Sequence, residues 1–147
     1  MAPSEMPQHQ EFAERANCTI LKKACCLLGR SSLPAKFCAN ALNTAVFLSN
    51  LFPTALRGGQ SPNSLWTNSP ARLSRLKMFG CRPIFHNLGL KIKWKLNPPE
   101  KSGIFLGYEN NNTEYCILRL SNMKVAITQP ATFNTNFFPS ILQYNRD

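Results

Sequence analysis

Acidic residues are scarce in this sequence: seven Asp and Glu stand against seventeen Lys and Arg, a formal charge of +10 over 147 residues. Only one of the seven is an aspartate, Asp147, the last residue; the others are Glu5, Glu11, Glu14, Glu100, Glu109 and Glu114. A chemistry built on clustered carboxylates has little to draw on here, because each hard dication in a phosphate-transfer site needs several charged oxygens. No apolar run approaches the ~20 residues of a membrane helix. The opening MAPSEMPQHQ lacks the hydrophobic core of a signal peptide. The expectation is a soluble, intracellular protein. Histidine is limited to His9 and His86, and no two cysteines have two-residue ligand spacing, so a zinc motif is absent. In a reducing compartment Cys18, Cys25, Cys26, Cys38, Cys81 and Cys116 are expected to be reduced and mostly buried.

The basic excess is even along the chain. Such a surface attracts polyanions, nucleic acid first and anionic membrane next, although a basic solvated surface without a partner has the same composition. At 44% hydrophobic residues a core is affordable. Phe12, Ala16, Ile20, Ala24 and Leu27 recur every three or four residues, which predicts a helix over 11–28 with one buried stripe, stopped by Gly29. Ser32 and Pro34 open a second helix, whose stripe is Phe37, Ala41, Ala45, Leu48 and Phe52, widened by Cys38, Leu42 and Val46 and closed by Pro53. The two form a helical hairpin with too little core to stand alone, so they must lean on something else.

From 57 to 75 the composition turns to Gly, Pro, Ser and Asn, with one short helical turn expected over Ser61–Trp66. Beyond it come short β-type runs, KMFGCRPIFH, KIKWKL, GIFLGY, YCILRL, KVAIT and ATFNTNFF, at a spacing that suggests a small curved barrel or sandwich. In KIKWKL, Lys91, Lys93 and Lys95 alternate with Ile92, Trp94 and Leu96. That alternation suits either a phosphate-facing ridge or an edge strand protected from aggregation by its lysines.

PQHQEFAERANCTI, LPAKFCANALNTAVFLSNLFPT, GGQSPNSLWTNSPARLSRLKMFGCRPIFH and KLNPPEKSGIFLGYENN, in this order and at this spacing, resemble the integrase region of copia-type long-terminal-repeat retrotransposon polyproteins. The first, residues 7–20, is similar to the family's P-Q-Q-N-G-V-A-E-R-x-N-R-T-L. The resemblance implies an α+β fold: a two-helix, C-terminal remnant of an RNase H-like integrase core, then a small SH3-like β-barrel. The implied divisions are a disordered lead-in at 1–10, the helical piece at 11–55, a linker at 56–75, the barrel at 76–135 and a tail at 136–147. It implies DNA strand transfer by two aspartates and a glutamate holding two magnesium ions, with Glu14 on the glutamate position as catalytic residue and metal ligand.

Both aspartates are missing, so that role for Glu14 belongs to an intact parent. The chain alone is expected to use no cofactor, to take no small-molecule substrate and to bind no membrane. By pattern Glu14 lies about 200° round the helix from Phe12, where any solvated glutamate also sits. Glu11 and Arg15 are placed for an i,i+4 ion pair. Departures from the family include Gln10–Glu11 for Asn-Gly, Cys18 for arginine, Cys38 for tryptophan in a packing seam, Asn97 for aspartate, and Pro130 where an aspartate usually precedes the last strand. What remains is nucleic-acid potential: Arg15, Lys22 and Lys23 on the first helix and Lys91, Lys93, Lys95 and Lys101 near the barrel, suited to DNA, with RNA as the alternative. A nuclear location follows if the chain is functional. Trp94 is as well suited to base stacking as to packing, whereas the place of Trp66 in the family's linker suggests a packing anchor. His86 reads as a hydrogen-bonding barrel residue. The rivals are a free-standing noncatalytic module that binds nucleic acid or protein, and a nonfunctional gene relic.

Overall fold

The computed structural model describes residues 6–55, 58–86, 100–109, 114–128, 132–134 and 136. Helix α1 spans Met6–Ser31 and helix α2 Cys38–Leu51, the latter entered through a 3-10 turn at Ala35–Phe37. A short helix α3, Pro62–Thr67, follows. Strands β1 (Arg82–His86), β2 (Glu100–Glu109), β3 (Glu114–Arg119), β4 (Lys124–Thr128) and β5 (Thr132–Asn134) form one antiparallel sheet in the order β4-β3-β2-β1-β5. The protein is therefore mixed α+β. KIKWKL, residues 91–96, lies outside the described residues.

The helix boundaries correct the reading of α1. It begins at Met6, within the stretch expected to be a disordered lead-in. Pro7 does not prevent this, because a first-turn residue has no intrahelical partner for its N–H. At the other end α1 runs through Gly29 to Ser31, and Ser32 takes the left-handed φ of 54° that ends it. A mid-helix glycine costs only about 1 kcal/mol, and tertiary packing outweighs it here. Ser31 is buried, and its hydroxyl donates to the Leu28 carbonyl at 3.0 Å. Gly80, at φ +82°, passes so close that a Cβ on it would lie 2.3 Å from the Ser31 Cβ.

The second helix follows its punctuation. Pro34 accepts from the Phe37 N–H at 3.1 Å, and Phe52, next to Pro53, leaves the helix in an extended conformation with φ −80° and ψ 140°. In α3, Ser61 and Ser64 form a reciprocal capping box with Pro62 at the start of the helix. Pro supplies a preset φ there, and the two serines satisfy otherwise orphaned N–H groups.

Helices and sheet share a core. Ala24, Leu33, Phe37, Ala41 and Ala45 pack with Phe79, Ile104, Leu106, Leu118 and Leu120 in one buried cluster. The opposite face of the sheet holds a second cluster of Cys81, Phe105, Tyr115 and Ile117, with Met78, Tyr108 and Phe133 against it. Strands β2 and β3 are thus buried on both faces, which explains the unbroken apolar text of GIFLGY and YCILRL. A register shift between Phe105 and Gly107 interrupts the β2–β3 ladder. Phe105 and Tyr108, three apart, would face opposite sides of a regular strand; across the bulge their rings meet edge to face at 5.1 Å. Gly107 has φ +144°, and a Cβ there would come within 2.8 Å of the Thr44 hydroxyl on α2. That hydroxyl donates to the Asn40 carbonyl at 2.8 Å and lies 3.4 Å from the Leu106 carbonyl. The glycine is what lets α2 approach β2.

The expected stripe of α1 is only half used. Ala24 is buried and Ile20 and Leu27 are partly so, but residues 10–19 are all exposed, with Phe12 at 72%. The reason is length. Twenty-six residues extend roughly 39 Å and the fourteen of α2 roughly 21 Å, so the first half of α1 reaches past its neighbour. On α2, Ala41 and Ala45 carry the contact, whereas Phe52 and Val46 are exposed. The cysteine expectation also fails in part: Cys18, Cys25, Cys26 and Cys38 are exposed, Cys81 is buried and Cys116 is intermediate. All four exposed thiols lie off the contact made through Ala24, Ala41 and Ala45.

Candidate nucleic-acid interface

Glu14, Arg15, Lys22 and Lys23 stand on the exposed surface of α1. The Glu14 carboxylate accepts from the Gln10 side-chain amide at 3.3 Å. Arg15 forms an i,i+4 ion pair with Glu11 and its carbonyl accepts from the Thr19 hydroxyl. An exposed pair of this kind contributes a few tenths of a kcal/mol at most. Lys23 reaches across to α2, where its ammonium donates to the Ser49 hydroxyl at 2.8 Å, and Ser49 in turn donates to the Ala45 carbonyl. Lys22 is exposed beside it. One helix thus presents a cationic surface on which Arg15 and Lys23 already have polar partners.

The backbone of Lys101 pairs with Phe85 in the β1–β2 ladder. Lys91, Lys93, Lys95 and Trp94 lie outside the described residues. His86 pairs with Glu100 through the backbone at the end of β1.

The donors needed for two magnesium ions do not come together. Among the described residues no three His, Cys, Asp or Glu side chains converge on a point. Of the two glutamates on α1, Glu11 is engaged by Arg15 and Glu14 by Gln10. The described residues do not fit a two-magnesium site.

A feature that periodicity did not reveal lies between α2, α3 and the end of β2. Here a cleft of about 830 Å³ is lined by Asn43, Asn50, Asn63, Trp66, Arg72 and Arg75 among others. Its floor includes Phe47 and Tyr108, whose rings stack at 4.5 Å and 33°. Tyr108 is held there from both sides: its hydroxyl accepts from the Lys77 N–H at 2.7 Å and donates to the Lys77 carbonyl at 3.0 Å. Burial pushes the Tyr108 phenol up to about 12, the Lys77 backbone bond opposing it in part. Trp66 is not the packing anchor expected of it; it is 91% exposed. Six residues of helix give α3 a single turn and a half, and its contact with α2 leaves the indole outside. The sequence holds one signal for this site: Asn43 and Asn50 are seven apart and so share a face of α2.

Two thiols, buried Cys81 and half-buried Cys116, are shifted by their surroundings. Cys81 is raised to about 11 by burial, and Cys116 to about 11 by burial and then by the Glu109 carboxylate, to which its thiol donates at 3.6 Å. No described helix is long and apolar enough to cross a membrane.

No family model matches the chain, and no solved structure matches it. Curated proteins do. The retrovirus-related Pol polyprotein from transposon TNT 1-94 of Nicotiana tabacum is 33% identical over 127 residues, 86% of this chain and 10% of the polyprotein. The corresponding polyprotein from transposon RE1 of Arabidopsis thaliana is 30% identical over 139 residues, 94% of this chain and 9% of the polyprotein. An uncharacterized mitochondrial protein of Arabidopsis thaliana is 33% identical over 90 residues, 61% of this chain and 75% of that protein. The chain spans about a tenth of the length of the polyproteins it matches. With similarity of this degree running through most of its length, the chain belongs to the family of copia-type, retrovirus-related Pol polyproteins of plant transposons and matches one region of them.

Proposed function

We propose that this region is the end of an integrase: the last helices of a catalytic core and an SH3-like barrel, which bind DNA through its phosphates without catalysing strand transfer alone. The observation that carries the reading is the pairing of a formal +10 charge with exposed Arg15, Lys22 and Lys23 on α1 in a transposon polyprotein region. The strand order, in which β5 pairs with β1 and the rest follow in sequence, supports the barrel. The exposed first half of α1 supports a lost or separate core against which that stripe once packed. Glu14 is then a metal ligand by descent, with magnesium bound only where both aspartates are supplied. Such binding is set by charge and acts on chromosomal DNA in a nucleus.

The test is duplex binding against salt. Three or four phosphate contacts predict a loss of roughly 40- to 150-fold in affinity between ~50 and ~200 mM salt. Absent or salt-independent binding overturns the reading, and a labelled RNA competitor reports whether RNA substitutes for DNA. A magnesium-dependent strand-transfer assay on the isolated chain should yield no joined product; a joined product refutes the noncatalytic part. A second reading, a free-standing module, is favoured by the uncharacterized mitochondrial relative, of which the matched 90 residues form 75%. Genomic sequence directly upstream separates the two: an open frame carrying aspartate-bearing strands favours the polyprotein piece, and a stop codon there the free-standing module.

A further inference from the structure

We infer that the cleft between α2, α3 and β2 is a binding site for an unstacked base of single-stranded nucleic acid, with the indole of Trp66 as its stacking platform. This rests on the nucleic-acid reading above and adds to it a second site, distinct from the cationic face of α1, with a different specificity.

Three features of the cleft point to that ligand. The first is Trp66, 91% exposed on the wall of an 830 Å³ cleft. An indole left in water forgoes the burial that ordinarily makes Trp a core or interface residue. A planar partner recovers it, and every nucleobase has a π face. The second is the polar complement. Asn43, Asn50 and Asn63 line the same cleft, and neutral amides, with a donor and an acceptor each, match base edges better than they match phosphate. The third is charge at the same place: Arg72 and Arg75 lie on the cleft wall, where a guanidinium binds a phosphate oxygen pair or stacks beside the indole.

The cleft is also held in shape. The Ser61–Ser64 capping box fixes the start of α3, and Asn68 closes it in the left-handed conformation at φ 50°. The Phe47–Tyr108 stack and the two Tyr108–Lys77 hydrogen bonds fix the floor. A platform already ordered loses little conformational freedom on binding. Duplex DNA cannot use it, because paired bases present no free face. Glu109 also lines the cleft, and its carboxylate opposes phosphate, so the site is tuned below its full electrostatic potential.

The experiment is fluorescence anisotropy with a labelled ten-nucleotide oligothymidylate and a labelled ten-base-pair duplex, titrated with the full chain. Trp66→Ala should weaken the single strand by roughly 5- to 100-fold, the range of one lost base–aromatic stack, and leave the duplex unchanged. Trp66→Phe should recover most of the affinity, while Trp66→Leu, apolar but not planar, should not. Glu109→Gln should tighten the single strand. If Trp66→Leu binds the single strand like the native chain, stacking is refuted. If Trp66→Ala changes neither affinity, the site is refuted. In that case duplex binding that still falls with salt leaves the broader reading standing; loss of all DNA binding by the native chain removes both.

Discussion

Replacing Gly107 by alanine tests the junction of helix and sheet on which the whole fold depends. Its φ of +144° lies where L side chains are strained, at about 1–3 kcal/mol. The new methyl would also sit 2.8 Å from the Thr44 hydroxyl, and overpacking of this kind costs about 1–3 kcal/mol. The expected loss is therefore about 2–6 kcal/mol, a large part of the ~5–15 kcal/mol that holds a domain together. Thr44→Ala removes the obstructing atom at its own cost of about 1–2 kcal/mol, from one hydrogen bond and one methyl. In the double variant only the backbone strain of Gly107→Ala remains, so the two substitutions should be non-additive by about 1–3 kcal/mol, the double being milder than the sum. Thr44→Ser keeps the hydroxyl and should give no such relief. Urea unfolding followed by far-UV circular dichroism measures all six proteins, the native chain, the three single variants and the two doubles. A coupling within about 0.3 kcal/mol of zero, or a Gly107→Ala cost below about 0.5 kcal/mol, would refute the account of this contact.

Three further outcomes follow from the packing. With a thiol reagent at pH 8 the four exposed cysteines, Cys18, Cys25, Cys26 and Cys38, should react promptly, half-buried Cys116 more slowly, and Cys81 only after denaturation; six fast thiols would contradict the burial of Cys81. Stability should fall as pH rises from about 9 towards 11 to 12. The folded state holds its proton on Cys81 to about 11 and on Tyr108 to about 12, while the unfolded chain loses them near 9 and 10. The folded state then holds more protons than the unfolded state, and stability declines at about 1.4 kcal/mol per pH unit for each such group within its window; a flat urea midpoint from pH 8 to 11 would refute this. Ala45→Leu should destabilise by about 1–3 kcal/mol, because Ala45 is fully buried where α2 meets β2 and β3. A neutral result in the same urea assay would mean that the helix does not lie on the sheet as described.

Local chemistry made much of this protein legible in its sequence. Pro53 set the end of α2, since the residue before a proline is pushed to extended backbone, and Ser61-Pro62 set the start of α3. The strands at GIFLGY, YCILRL and KVAIT were readable because their composition is β-branched and aromatic and their ends are turn residues. The single aspartate, a matter of counting, leaves the sequence short of the two aspartates that the resemblance implies for a two-magnesium site. Only the tertiary structure decided which apolar positions are covered. Phe12 and Ala24 occupy one stripe with the same period, yet one is 72% and the other 4% exposed, because periodicity fixes the face of a helix but not where its neighbour ends. Gly29 read as a stop and did not act as one, because the buried Ser31 against Gly80 carries the helix past it. The cleft was invisible for the same reason. Asn43, Trp66 and Arg72 lie on three segments whose contact depends on α3 docking against α2, a long-range choice that no local pattern records.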